Sequence, residues 1–119
     1  MPMSASVTVK NETGSVITIT DVSKVNDDAV FKGINIGDKI ENTKDETLEM
    51  SNKSLIIAPR GVGCSIRFIC HSNFQIGEIY LDDPAIGRHW FSYGNQGVFA
   101  YAEANPSGNN YTITIRLVA

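Results

Sequence analysis

The sequence predicts an all-β protein, a single-domain antiparallel β-sandwich that spans residues 1–119. Most of the chain consists of short segments rich in Val, Ile, Thr and aromatic residues, in which apolar and polar side chains alternate. Clusters of Gly, Asn and Pro separate these segments, and no stretch carries the apolar stripe of an amphipathic helix. Many short strands without helices are typical of two sheets packed face to face.

Two strands are predicted near the N-terminus. Val7 and Val9 alternate with polar neighbours, and a second alternating segment occupies residues 15–22. Residues 11–14, Asn-Glu-Thr-Gly, include a glycine that can adopt a positive φ angle. We therefore expect a tight hairpin turn between these two strands.

The alternation of apolar and polar residues is less regular in the next part of the chain, so its strands are predicted less clearly. Residues 29–36 form a candidate strand that a glycine interrupts. Residues 39–50 contain too few apolar positions for a helix, so we expect a loop with short edge strands around Ile40 and Leu48. The apolar run at residues 54–58, which a proline ends, predicts a further strand.

The second half of the chain contains the clearest strands. A central strand has four inward-facing positions: Cys64, Ile66, Phe68 and Cys70. Three more strands are predicted at residues 76–81, 98–103 and 111–118. In the last of these, four residues are expected to face the core: Tyr111, Ile113, Ile115 and Leu117. A straight strand separates the two cysteines by about 20 Å, so we expect free thiols rather than a disulfide.

Composition and charge exclude several classes of protein. The net charge is −3, and the ten Lys and Arg residues are scattered singly. A nucleic-acid binder or a polybasic lipid anchor would concentrate them, so we expect neither. The longest apolar run, residues 55–59, is too short for a membrane-spanning helix. Residues 1–6 lack the features of a secretory signal, so we expect a soluble protein, with release by another route left open.

The sequence favours binding over catalysis. It contains no nucleophile elbow, no zinc-protease motif and no phosphate-binding loop of the Walker type. His71 and His89 lack a recognisable catalytic partner, and together with the two cysteines they do not form a zinc pattern. We therefore expect no enzyme activity, no cofactor and no bound metal.

The strongest candidate site lies in residues 81–94, which contain the only tryptophan of the chain. Trp90 follows His89 and precedes Phe91 and Tyr93. This segment is too rich in Gly and Pro for a continuous strand, so we expect a loop at a sheet end. Aromatic rings in such a loop can enter a membrane interface. The alternative is that Trp90 closes one end of the core.

Asp82 and Asp83 precede a proline in the same segment. Together with Glu78 they could supply carboxylate oxygens to a calcium ion. Short acidic side chains before proline are also ordinary turn residues that bond the local backbone. We favour the turn.

Three segments resemble the aegerolysins, and especially the small bacterial insecticidal members that act in binary toxins. Residues 7–21 (VTVKNETGSVITITD) resemble their first two strands and the intervening turn. Residues 79–87 (IYLDDPAIG) resemble their strand that ends in an acidic turn, a proline and a glycine. Residues 111–115 (YTITI) resemble their last strand.

This resemblance implies a sandwich that binds sphingolipid- or sterol-containing membranes and acts with a larger protein partner to form pores. It implies docking through the loop around Trp90, shaped by the acidic turn rather than by a metal. The residues expected to bind lipid are Trp90, Phe91, Tyr93, His89, Tyr80, Asp82 and Asp83, with Phe99 and Tyr101 as weaker candidates.

Two other functions stay open. Aromatic side chains beside Asn and Asp turns also bind sugars, so the domain could be a small lectin or bind a protein partner. A structural or inhibitory protein without a ligand is the third interpretation. Edge strands of a sandwich can pair between molecules, which leaves a homo-oligomer open.

Overall fold

The computed structural model describes residues 4–26, 28–52, 61–84 and 88–119, without the side chains of residues 105–107. Over these residues the chain forms ten strands and no helix. The strands are β1 (Ser4–Asn11), β2 (Ile17–Lys24), β3 (Ala29–Lys32), β4 (Lys39–Ile40), β5 (Asp45–Asn52), β6 (Val62–Cys70), β7 (Ile76–Asp83), β8 (Trp90–Gly94), β9 (Phe99–Ser107) and β10 (Asn110–Leu117).

The described strands form two five-stranded sheets, which confirms the predicted β-sandwich. The first sheet has the order β3-β5-β1-β10-β9, and the second has the order β4-β2-β6-β7-β8. One pair departs from the antiparallel prediction, because β1 and β10 run parallel with Val7 opposite Tyr111. These two strands are far apart in sequence, so no hairpin constrains their direction.

The inward-facing side chains of both sheets form one hydrophobic core. Cys64, Ile66, Phe68 and Cys70 are fully buried, as the alternation predicts, and both cysteines are free. The prediction that Leu117 faces the core is wrong, since the residue is 36% exposed. It pairs only with β9, beyond the point where β1 ends, and therefore has no strand on its other side.

The predicted hairpin at residues 11–14 is wrong, because β1 and β2 belong to different sheets. The buried side chain of Asn11 organises the crossover instead. Its amide donates to the carbonyls of Ser15 (2.7 Å) and Ile40 (2.8 Å), and its oxygen accepts from the Thr13 amide (3.0 Å). Gly14 takes the positive φ that the pattern predicted, at 87°.

The prediction for residues 39–50 is partly wrong. Ile40 does lie in a short edge strand, β4. Leu48, however, belongs to the eight-residue strand β5, which lies between β3 and β1 rather than at an edge. Asp45 and Glu49 of β5 are exposed, whereas the part-buried Glu46 lies on the same face as the buried Leu48 and Met50, so the strand has a core face despite its polar composition. The predicted strand at residues 54–58 lies outside the described residues.

Candidate functional site

The segment expected to form a loop is mostly strand. β7 continues through Asp83, and β8 begins at Trp90 and pairs with it in an antiparallel register that aligns Trp90 with Asp82. The loop prediction is therefore wrong for these residues, because the pairing extends further than the Gly and Pro content of the segment suggests. Residues 85–87, which hold part of that content, lie outside the described residues.

Strand alternation divides the predicted site residues into two groups. Trp90 (50% exposed) and the part-buried Tyr80 and Asp82 face outward from the second sheet. Asp83, Phe91 and Tyr93 face the interior, because neighbouring residues on a strand point to opposite faces. His89 precedes β8 and packs on the inner group.

The outward group contains an aromatic pair, here called the aromatic platform, formed by Trp90 and Tyr80. Their ring centroids lie 5.3 Å apart with a 36° angle between the planes. Asp82 is directly opposite Trp90 in the ladder, and Ser92 is directly opposite Tyr80. A half-exposed indole, a phenol, a carboxylate and a hydroxyl therefore lie together on a rigid sheet surface.

An ion pair borders the platform on the same face of the sheet. Arg67 Nε lies 2.8 Å from Glu78 Oε2, and Ser65 Oγ donates to the same oxygen at 3.0 Å. The hydrogen bond from Arg67 lowers the pKa of Glu78, so this carboxylate stays ionised and paired at neutral pH. The Glu78 carboxylate is thus already paired with Arg67 and Ser65 within the protein.

The inward group closes one side of the sandwich, between the edge strands β8 and β9. The ring of Tyr93 stacks on that of Tyr101, with centroids 4.6 Å apart and planes 11° apart. Phe91 meets Tyr111 edge-on at 5.4 Å. Phe91 and Tyr93 therefore support the strand that carries Trp90 from behind, through the core.

His89 and Asp83 form a polar cluster with Tyr111 beside these rings. His89 Nε2 lies 2.8 Å from Glu103 Oε2, and its ring lies 4.5 Å from that of Tyr111. The Tyr111 hydroxyl donates to Asp83 Oδ2 at 3.1 Å. Asp83 is only 4% exposed, and burial raises its pKa although the Tyr111 hydrogen bond and the nearby His89 oppose this effect.

This geometry corrects the acidic-turn prediction. Asp83 ends β7 opposite Val62, and Asp82 lies opposite Gly63, so both are strand residues. Their side chains point to opposite faces and cannot meet at one ion. Among the described residues, no three His, Cys, Asp or Glu side chains are arranged to hold a metal ion.

The two weaker candidates belong to the core. Phe99 is fully buried. The Tyr101 hydroxyl donates to the Gly94 carbonyl at 2.7 Å and accepts from the Glu78 amide at 3.2 Å. These bonds tie β9 of the first sheet to β7 and β8 of the second.

Sequence analysis missed one prominent surface feature. Phe74, in the turn between β6 and β7, is 78% exposed, and Ile76 at the start of β7 is 54% exposed. The available signal was an aromatic residue inside the polar turn Ser-Asn-Phe-Gln, where a large apolar side chain has no core to enter. In the parts of the chain that the structure describes, no helix is long and apolar enough to cross a membrane.

Comparison with known proteins supports the fold. No protein-family model matches the sequence, and no match to a curated protein reaches significance. Among solved structures, the chain is similar to IP-1A from Alcaligenes faecalis, with a TM-score of 0.68 and 13% identity. The match covers 98% of this chain and 92% of the other. At this identity, the likeness shows a shared β-sandwich fold from end to end.

Proposed function

We propose that this protein is the membrane-lipid-binding component of a two-component, pore-forming toxin system, and that it docks through the aromatic platform. The observation that carries the proposal is the half-exposed Trp90, held against Tyr80 on the outer face of the second sheet. The resemblance to the insecticidal aegerolysins supports it, and implies a larger protein partner that supplies the membrane-spanning segments.

The platform has the chemistry that a lipid headgroup requires. The amphipathic indole of tryptophan is stable at the boundary between headgroups and acyl chains. Aromatic faces attract quaternary ammonium groups by cation–π interaction, and a carboxylate such as Asp82 attracts the same cations. Sphingolipids with a choline or ethanolamine headgroup therefore suit a surface formed by Trp90, Tyr80 and Asp82.

The hydrogen-bond partners of the two histidines also agree with a binding role. His71 Nε2 lies 2.6 Å from the Thr18 hydroxyl on the surface of the sheet, and His89 pairs with Glu103. Both side chains are engaged in these contacts within the protein, and we propose that the protein is not an enzyme.

The single tryptophan allows a direct test. Because Trp90 is the only tryptophan and is half exposed, its fluorescence emission should shift to the blue when vesicles of sphingomyelin and cholesterol are added. Brominated lipid should quench it. Val30→Ala, at a 38% exposed position on the first sheet, is a matched control that should leave the shift unchanged. Vesicle binding without any change in emission would exclude the platform as the contact.

A second candidate is a carbohydrate-binding domain. The arrangement that favours it is the tilted aromatic pair of Trp90 and Tyr80, flanked by Asp82 and Ser92 on the sheet, which can hold a sugar ring and bond its hydroxyls. A glycan array distinguishes the two candidates. A few strong glycan signals, lost in Trp90→Ala, with no binding to sugar-free vesicles would favour the lectin.

A further inference from the structure

The end of the sandwich that carries the β6–β7 turn exposes several apolar side chains. Phe74 and Ile76 project from this turn and from the start of β7, with 78% and 54% of their surfaces exposed. Leu117 and Val118, at the end of β10, are 36% and 49% exposed. We call Phe74, Ile76, Leu117 and Val118 together the apolar tip.

Hydrogen bonds connect the parts of the tip. The side-chain amide of Asn95, in the β8–β9 turn, donates to the Ile76 carbonyl at 2.9 Å. The Val98 amide donates to the Asn95 carbonyl at 3.1 Å, and the Val118 amide donates to the Val98 carbonyl at 2.9 Å. The two turns and the end of β10 are therefore neighbours.

The turn holds the Phe74 side chain in solvent, and the Phe74 backbone is strained. Phe74 has a φ angle of 56°, a left-handed conformation that bulky residues rarely adopt. Its amide donates to the Cys70 carbonyl at 2.8 Å, and the Cys70 amide donates to the Gln75 carbonyl at 2.9 Å. The Asn73 side chain accepts from the Gln75 amide at 2.9 Å. An exposed aromatic residue is thus fixed in a strained position where Asn or Gly would be unstrained.

The charge pattern around the tip identifies its partner. Neither residues 72–77 nor residues 90–102 contain an Asp, Glu, Lys or Arg, although the whole chain has a net charge of −3. Arg116, which precedes Leu117, is the basic residue next to the tip, and its charge is paired with Glu12 at 2.7 Å. A surface with so little unpaired positive charge does not attract anionic lipid or nucleic acid. A few apolar side chains on narrow turns are also too small for a stable protein interface, which needs roughly 800 Å² per partner. The uncharged interface of a zwitterionic bilayer is the partner that fits.

We infer that the apolar tip inserts into the interface of zwitterionic bilayers, with Phe74 as its main anchor. This inference rests on the proposed membrane-binding function and adds a second contact to it. Ile76 and Tyr80 lie on the same face of β7, about 13 Å apart along the strand, with the paired charges of Glu78 and Arg67 between them, so tip and platform can meet one membrane surface.

The decisive variant is Phe74→Asn, because asparagine accepts the left-handed backbone without the aromatic ring. Binding to vesicles of phosphatidylcholine, sphingomyelin and cholesterol should weaken about 10-fold or more, as expected for one large apolar side chain. Thermal unfolding should stay at the wild-type temperature or rise. Ile36→Ser is the matched control, since Ile36 is 63% exposed but lies between β3 and β4, and it should bind as the wild type does.

A second measurement reports the position of the tip directly. In a Phe74→Trp, Trp90→Phe protein the only tryptophan lies at the tip, and its emission should shift to the blue on vesicles and be quenched by brominated lipid. Replacing part of the phosphatidylcholine by phosphatidylserine should not strengthen binding.

The outcomes separate this inference from the proposed function. If Phe74→Asn binds vesicles as strongly as the wild type and the emission of the tip tryptophan does not shift, the inference is overturned and the platform remains as the membrane contact. Binding that rises with phosphatidylserine content would also overturn it. No binding of the wild type to any vesicle would overturn both.

Discussion

Tyr111→Phe tests how much the hydrogen bond from the Tyr111 hydroxyl to the buried Asp83 carboxyl stabilises the folded protein. The substitution removes the donor to Asp83 Oδ2 but keeps the ring contacts of Tyr111 with His89 and Phe91. A buried polar group that loses its partner costs about 1–3 kcal/mol. We therefore expect the free energy of unfolding at pH 7, measured by urea denaturation, to fall by about that amount.

Two companion variants make this prediction specific. Tyr93→Phe is the matched control, because the buried Tyr93 hydroxyl has no hydrogen-bond partner among the described residues, so its loss should be neutral or stabilising. Asp83→Asn keeps an oxygen that accepts from Tyr111 and removes the buried charge, so it should not destabilise. Tyr111→Phe should then cost less in the Asp83→Asn background. Equal losses from Tyr111→Phe and Tyr93→Phe would refute the reasoning.

Three further predictions concern stability and reactivity. Burial and a hydrogen bond with Asp38 raise the pKa of Glu46 to about 6, above its ordinary value of 4.5, so the folded state binds this proton more tightly. Stability should therefore fall as pH rises from 5 to 7, by less than about 1 kcal/mol because solvent screens this part-exposed group, and urea titrations of Glu46→Gln should lack this decrease. Asn11→Ala should lower the free energy of unfolding by about 2–4 kcal/mol, because it leaves several buried backbone groups unpaired. Burial raises the pKa of the Cys64 thiol to about 12, so Cys64 should react with thiol reagents only at the rate of unfolding, as mass spectrometry can follow.

The sequence predicts strands best where alternation is strong. The central strand from Cys64 to Cys70 is predicted by its own pattern, since every second residue is apolar and the polar Ser65 and Arg67 separate the first three of them. β5 was missed as an internal strand because its solvent face is acidic and only Leu48 and Met50 are large and apolar. Its position depends on pairing with β1 and β3, which lie elsewhere in the sequence.

The sequence predicts which residues form the candidate site but not which face of the sheet each side chain lies on. The density of Gly and Pro predicts a loop, in which Trp90 and Phe91 belong to one docking surface. Strand alternation separates them, with Trp90 outside and Phe91 against the core. Once Trp90 is placed on a strand, the period of two predicts this separation. The contact between Trp90 and Tyr80 depends on the β7–β8 register, which turn composition alone did not reveal.

The central claim, lipid binding through the platform, is tested most directly by cosedimentation with vesicles at physiological salt. The compositions are phosphatidylcholine alone, sphingomyelin with cholesterol, and ceramide phosphoethanolamine with cholesterol, each with the wild type and Trp90→Ala. We predict that the wild type sediments with at least one sphingolipid mixture and that Trp90→Ala, while folded, binds it about 10-fold more weakly. Wild-type protein that stays in the supernatant with every composition would contradict the claim.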